Sequence, residues 1–219
     1  SKKFYTPDTL FSALTNKFHE SKLNLHHSNY RLYDPDSFLS PEAIKELHEK
    51  LYEFEENKIG IPILCIFDTV DPKYNTKDGM NNFESELSLK LFAYNYKYKR
   101  QMILFLISMK EGLITISTGY DNENIFTEKY LFNKIGDIQD YLTKDKIEEG
   151  IFLMLKRMLK KGNVYLKNIK ENGGGNINSD LDASKLSFER EYQNLLINIL
   201  KEQLKRTNGN NPEIALKRR

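Results

Sequence analysis

The stretch Ile61–Tyr120 constrains the fold more than any other part of this chain. Ile61-Pro62-Ile63-Leu64-Cys65-Ile66-Phe67 is an unbroken apolar run, short enough for a strand and buried on both faces. The segment Phe83–Tyr98 predicts a crossover helix, with Leu87, Leu91 and Tyr94 on one stripe. Two more strands, Gln101–Ser108 and Leu113–Ser117, flank the turn Met109-Lys110-Glu111-Gly112. A βαβ unit followed by a hairpin requires a mixed sheet covered by helices.

Further helices are expected on both sides of this unit. Thr6 and Pro7 open one that runs to about Glu20, with Leu10, Leu14 and Phe18 at helical spacing. Asn29–Tyr33 reads as a short extended piece. Ser40 and Pro41 start a second helix through about Asn57, buried on the side of Ala43, Ile44, Leu47, Leu51 and Phe54. The loop Thr69–Asn81 carries the turn signals Asp71-Pro72 and Asp78-Gly79. After the hairpin a helix is expected from Asp121–Glu123 to about Ile135, then a helical turn at Ile138–Leu142. The longest helix follows, from Thr143 to about Ile169, with Ile147, Ile151, Met154, Leu155, Met158 and Leu159 on its apolar side. Gly162 is expected to weaken it by ~1 kcal/mol.

The organisation is therefore an N-terminal helical extension over residues 1–27 and an α/β domain over 28–171. A Gly/Asn-rich linker (172–187) leads to an amphipathic tail helix (188–206) and a basic disordered tail (207–219). Phe188, Tyr192, Leu195, Leu196 and Ile199 line one side of the tail helix, as an interaction surface that docks on the domain or self-associates.

Charge excludes some roles. The 219 residues carry a net +2, against the strong basic excess of a dedicated nucleic-acid binder. Basic charge gathers at the end, where 185–219 holds eight basic and four acidic residues. Lys156, Arg157, Lys160 and Lys161 read as a solvated helix face in preference to a phosphate site. Cys65 is the single cysteine, so no intramolecular disulfide or cysteine-based metal site can form. No apolar run approaches the ~18 residues of a spanning helix, and no secretory hydrophobic region is present. Any signal peptide or anchor is expected outside these residues.

No catalytic signature is present. Gly173-Gly174-Gly175 follows a helix and lacks the Lys-Ser/Thr pair of a phosphate loop. His19, His26, His27 and His48 have no zinc-site spacing. What remains is carboxylates in loops: Asp34 and Asp36 before a helix, Asp68 and Asp71 after the first strand, Asp121 and Glu123 after the third. Hard cations such as Ca²⁺ or Mg²⁺ take several oxygen ligands, which carboxylates on neighbouring loops supply. Open α/β sheets bind ligands beyond the carboxyl ends of their strands. Asp34, Asp68, Asp121 and Glu123 are accordingly expected to converge at one sheet edge as a metal site, with turn formation and helix capping as the alternative reading of each.

Taken in order, Tyr33-Asp34-Pro35-Asp36-Ser37-Phe38-Leu39-Ser40, the strand Gly60–Phe67, the strand Ile103–Ser108, Thr118-Gly119-Tyr120, Glu123, Thr127-Glu128 and Ile147-Glu148-Glu149-Gly150-Ile151 resemble the TPM domain family. That family groups thylakoid-lumen, phosphatase and levamisole-receptor-modulator proteins. The resemblance covers roughly residues 28–170. It implies a three-layer α/β/α sandwich with a small mixed sheet, an extracytoplasmic or membrane-associated setting, and an acidic cluster onto which Asp34, Asp68 and Glu123 fall. Asp121 stands where the family often has a glycine.

The leading expectation is an accessory, protein-interaction domain with a partner in a membrane complex or receptor and a divalent cation at the acidic edge. Two alternatives stand beside it. One is a metal-dependent acid phosphatase using Asp68 as nucleophile or base, although Asp68-Thr69-Val70 lacks the second Asp of an Asp-x-Asp pattern. The other is a homo-oligomeric scaffold assembled by the tail helix.

Overall fold

In the computed structural model, which describes residues 3–23 and 31–172, the apolar run at Ile61–Phe67 becomes a strand buried on both faces. The elements in chain order are α1 (Pro7–Leu23), β1 (Leu32–Tyr33), α2 (Pro41–Glu56), β2 (Ile61–Phe67), α3 (Lys77–Tyr94), α4 (Tyr96–Gln101), β3 (Met102–Ser108), β4 (Leu113–Thr118), α5 (Glu128–Leu142) and α6 (Ile147–Glu171). The sheet order is β1-β2-β3-β4. The first three strands are parallel, and β4 returns antiparallel to β3.

Strand periodicity divides the core into two. Leu64 and Ile66 of β2, and Ile103, Phe105 and Ile107 of β3, face α2, α5 and α6. Ile63, Cys65 and Phe67, with Met102, Leu104 and Leu106, face α1, α3 and α4. The result is a three-layer α/β/α sandwich with a small mixed sheet. The crossover helix α2 covers one face and α3 the other, while the strands advance in one direction across the sheet. The two crossovers are therefore of opposite hand, so one is the uncommon left-handed form.

Helix α1, read from the sequence as an extension outside the family resemblance, is part of this architecture. Leu10, Leu14 and Phe18 are buried in the second core, and Phe18 packs 5.8 Å from Tyr94 and 5.6 Å from Tyr98 between ring centroids. Each such side chain removed from water contributes about 1.5–3 kcal/mol. Residues 1–171 form one compact unit. The expected linker, the tail helix with Phe188, Tyr192, Leu195, Leu196 and Ile199, and the basic tail lie outside the described residues.

Element boundaries differ from expectation, among them the start of α6, which lies at Ile147 because Thr143 ends α5. The helix before β3 begins at Lys77 rather than Phe83, because Thr76 Oγ1 accepts the Gly79 N–H at 3.0 Å and turns Asp78-Gly79 into a first helical turn. A Cβ at Gly79 would stand 2.8 Å from the Tyr74 backbone, so a glycine is what permits that approach. The same helix is split at Asn95, whose extended backbone (φ −149°, ψ 117°) ends α3 and whose side chain caps α4 through the Lys97 N–H. The helix and helical turn expected between Asp121 and Leu142 are instead one helix, α5, capped by Thr127, after a single 3₁₀ turn at Tyr120–Asn122.

Candidate functional site

Parallel strands point their carboxyl ends the same way, so the loops after β1 and β2 meet at one edge of the sheet. The turn joining β3 to β4 meets them there. This edge holds Asp34, Asp36, Asp68 and Glu111.

Each of three carboxylates is engaged through both oxygens. Asp34 accepts the N–H groups of Phe38 and Leu39, both at 2.9 Å, and folds the approach to α2 around itself. Ser37, within that turn, takes a left-handed backbone (φ 58°). Asp36 accepts the Asp68 N–H at 2.9 Å and the Tyr5 hydroxyl at 3.2 Å, which ties together the loop after β1, the end of β2 and the segment before α1. Glu111 accepts the hydroxyls of Ser108 and Thr69. Burial works to raise its pKa, but those two hydroxyls and the N–H groups of Glu111 and Val70 outweigh it and hold the carboxyl below the usual range.

Asp68 differs from its neighbours. It leaves the buried end of β2 half exposed, its carbonyl accepts the Lys110 N–H at 2.8 Å, and its carboxylate has no hydrogen bond among the described residues. Asp71, next along, caps a 3₁₀ turn by accepting the Lys73 N–H at 3.0 Å.

Asp121 and Glu123 are elsewhere. Because β4 runs antiparallel, its end returns to the amino ends of β2 and β3, with Thr118 opposite Ile103. There Asp121 pairs with Arg100 at 3.3 Å, and Asn122 Nδ2 donates to the Gln101 carbonyl at 2.9 Å. Glu123 is exposed, though the protein around it desolvates its carboxyl enough to raise it. The expected set of Asp34, Asp68, Asp121 and Glu123 is thus divided between opposite edges of the sheet and does not form one site. Among the described residues no group of three or more His, Cys, Asp or Glu side chains is gathered as metal ligands.

Gly119 explains how the second edge closes. A Cβ there would stand 2.5 Å from the Arg100 carbonyl carbon, while the Gly119 N–H donates to the Met102 carbonyl at 2.7 Å. The Thr118-Gly119-Tyr120 phrase is a backbone crossing point at the root of β3.

A family model for the TPM domain matches residues 32–161. The chain belongs to the TPM domain family. A solved structure agrees in fold, and a second was also found. The N-terminal domain of a protein from P. gingivalis superimposes with a TM-score of 0.58 at 13% identity, over 76% of this chain and 96% of that one. The N-terminal domain of a protein from Corynebacterium glutamicum gives 0.46 at 8% identity, over 60% of this chain and 79% of that one. No curated protein matches the chain.

Within this TPM domain, Tyr5, Thr69, Ser108 and Glu111 were not singled out as site residues from the sequence. Ser108 followed by an acid three residues on, at the end of an otherwise apolar strand, is the one local signal that marked them. His48 is half-buried. Burial lowers its pKa, and Lys17 and Arg31 nearby lower it further. Cys65 is fully buried, which pushes its thiol up and away from reactivity. No helix among the described residues is long and apolar enough to cross a membrane.

Proposed function

We propose that this TPM domain is an accessory module that acts by protein contact rather than by turnover. The observation that supports this is the way the carboxylates at the carboxyl edge are used. Asp34, Asp36 and Glu111 each commit both oxygens to backbone amides or hydroxyls that hold the loops in place. An acid–base or nucleophilic pair needs side chains within hydrogen-bond reach of one another and of a substrate. Large exposed apolar side chains, Tyr96 at 60% and Phe132 at 64%, offer contact surface instead. The partner is proposed to belong to a membrane complex or receptor, in an extracytoplasmic or membrane-associated setting, as the family resemblance implies.

A second reading is favoured by Asp68 alone. Its carboxylate at the end of β2, without a hydrogen bond among the described residues, is the ligand this edge offers to Ca²⁺ or Mg²⁺, and with a bound cation it is the position from which phosphomonoester hydrolysis would start. The test is turnover of a chromogenic phosphomonoester by the intact chain with each cation, alongside Asp68→Asn. The accessory reading expects the two proteins to be equally inactive. Cation-dependent turnover that Asp68→Asn abolishes would replace it with the phosphatase reading.

A further inference from the structure

The face of α6 turned toward the start of α5 is a strongly basic concavity. Arg157, Lys160, Lys161, Val164 and Tyr165 recur at spacings of three and four, so they share one side of the helix. With Tyr130 and Lys134 of α5 they line a cleft of about 600 Å³. None of the residues lining it is acidic, and four are cationic.

Local pairing leaves much of that charge available. Asp137, just outside the cleft, takes Lys134 at 2.7 Å and Arg157 at 3.3 Å, so one carboxylate is shared by two cations. Neither Lys160 nor Lys161 forms an ion pair with a carboxylate among the described residues. The Lys161 ammonium instead lies 4.7 Å from the Tyr130 ring centroid, with Lys134 at 5.4 Å from the same ring. Both cations are thus held at the Tyr130 ring in the cleft wall. Arg157, Lys160 and Lys161 are exposed, as the solvated helix face read from the sequence requires, and they also line a concave surface with Tyr130 and Tyr165 in its wall.

We propose that this cleft binds a phosphorylated small molecule, its phosphates held by Arg157, Lys160 and Lys161 and its organic part against Tyr130, Tyr165 and Val164. Ammonium and guanidinium groups are the strongest side-chain donors to phosphate oxygens. A volume of this size suits a nucleotide-sized ligand rather than a folded partner. The site is remote from the acidic edge and independent of the accessory reading.

The test is calorimetric titration of the full chain with inorganic pyrophosphate, ADP and adenosine at physiological salt. At that ionic strength diffuse attraction is screened beyond ~8 Å. Pyrophosphate and ADP are expected to bind, ADP more tightly, and adenosine not at all. Lys160→Ala with Lys161→Ala should weaken ADP by about tenfold or more, the scale of a lost charge-assisted hydrogen bond. Lys167→Ala with Lys170→Ala removes the same charge from exposed positions further along α6 and should leave the affinity unchanged. Equal weakening by the two double variants overturns the proposal, as does no binding of pyrophosphate or ADP at about 1 mM. Vesicles containing phosphatidic acid, run in parallel, separate sources. Binding to them alone overturns the small-molecule site in favour of a lipid surface.

Discussion

The Ser40 N–H donates to Glu148 Oε1 at 2.5 Å, and the Ser40 hydroxyl meets Glu148 Oε2 at 3.2 Å, across 108 residues of chain. The same hydroxyl accepts the Ala43 N–H at 3.2 Å. A capping box ordinarily draws its acid from the third residue of the helix it caps. Here that residue is Ala43, and the first turn of α6 supplies the carboxylate to the start of α2. One side chain therefore completes a helix terminus and joins two helices of the same layer.

Glu148→Ala should cost about 1–3 kcal/mol, because it leaves a half-buried amide without its charged acceptor. Glu149→Ala, one residue on and exposed, should stay within about 0.5 kcal/mol. Urea unfolding midpoints compare the two directly. Equal losses would mean that general charge at the α6 terminus matters and the bond to Ser40 does not.

Two glycines should respond to alanine with opposite signs. At Gly119 the new methyl would meet the Arg100 backbone at 2.5 Å, where nothing flexible can yield, so a loss of about 1–3 kcal/mol is expected. At Gly136, inside α5, nothing lies within 4 Å of the added carbon. There the substitution should stabilise by about 0.5–1 kcal/mol through helix propensity. Thermal melts of the two variants check the pair.

Glu111 predicts an acid-sensitive loop. Its folded pKa lies below its ordinary 4.5, so its contribution is complete above about that pH and is lost as pH falls through the lower folded value. Glu111→Gln should be less stable than the parent near neutrality, with the two curves converging as the pH drops below 4.5. A gap between the melting temperatures that is constant across pH 3–7, a range of roughly four units around the carboxylate pKa, would remove the charge from the explanation.

Leu14→Ala tests whether α1 belongs to the domain. Leu14 is completely buried between α1 and the sheet side of α3. A loss of about 2–5 kcal/mol is expected, as for any large core deletion. Chemical denaturation measures it, and a change below about 0.5 kcal/mol would make α1 a peripheral attachment.

The elements that could be read from sequence are those whose burial pattern is complete in itself. β2 and β3 are apolar without interruption because helices cover both faces, and α6 carries one apolar stripe along its length. The position of α1 was hidden because Leu10, Leu14 and Phe18 announce a buried side without naming what buries it. Asp78-Gly79 was misread as a turn because a two-residue signal cannot show that Thr76 captures the Gly79 N–H. Gly162, read as a weak point of α6, is where Ile59 packs, 2.7 Å from an added Cβ. The division of the acidic residues followed from a fact already in the sequence: a hairpin reverses direction, so residues after its second strand emerge at the far edge from those after the first parallel strand. The engagement of Asp34 and Asp36 was not readable, since their partners are backbone amides and a tyrosine far away in the chain.

Tyr5 has a consequence for how the N-terminal part of the domain can move. Its N–H donates to the Thr69 carbonyl at 3.0 Å, its carbonyl accepts the Asp71 N–H at 2.9 Å, and its hydroxyl reaches Asp36. Its ring lies 5.2 Å from that of Phe67. Any pull on the segment before α1 loads all of these together, because they converge on the one residue Tyr5. Force applied from this side would load the loops after β1 and β2 at the same moment, making the acidic edge the point where tension on the N-terminal segment is felt.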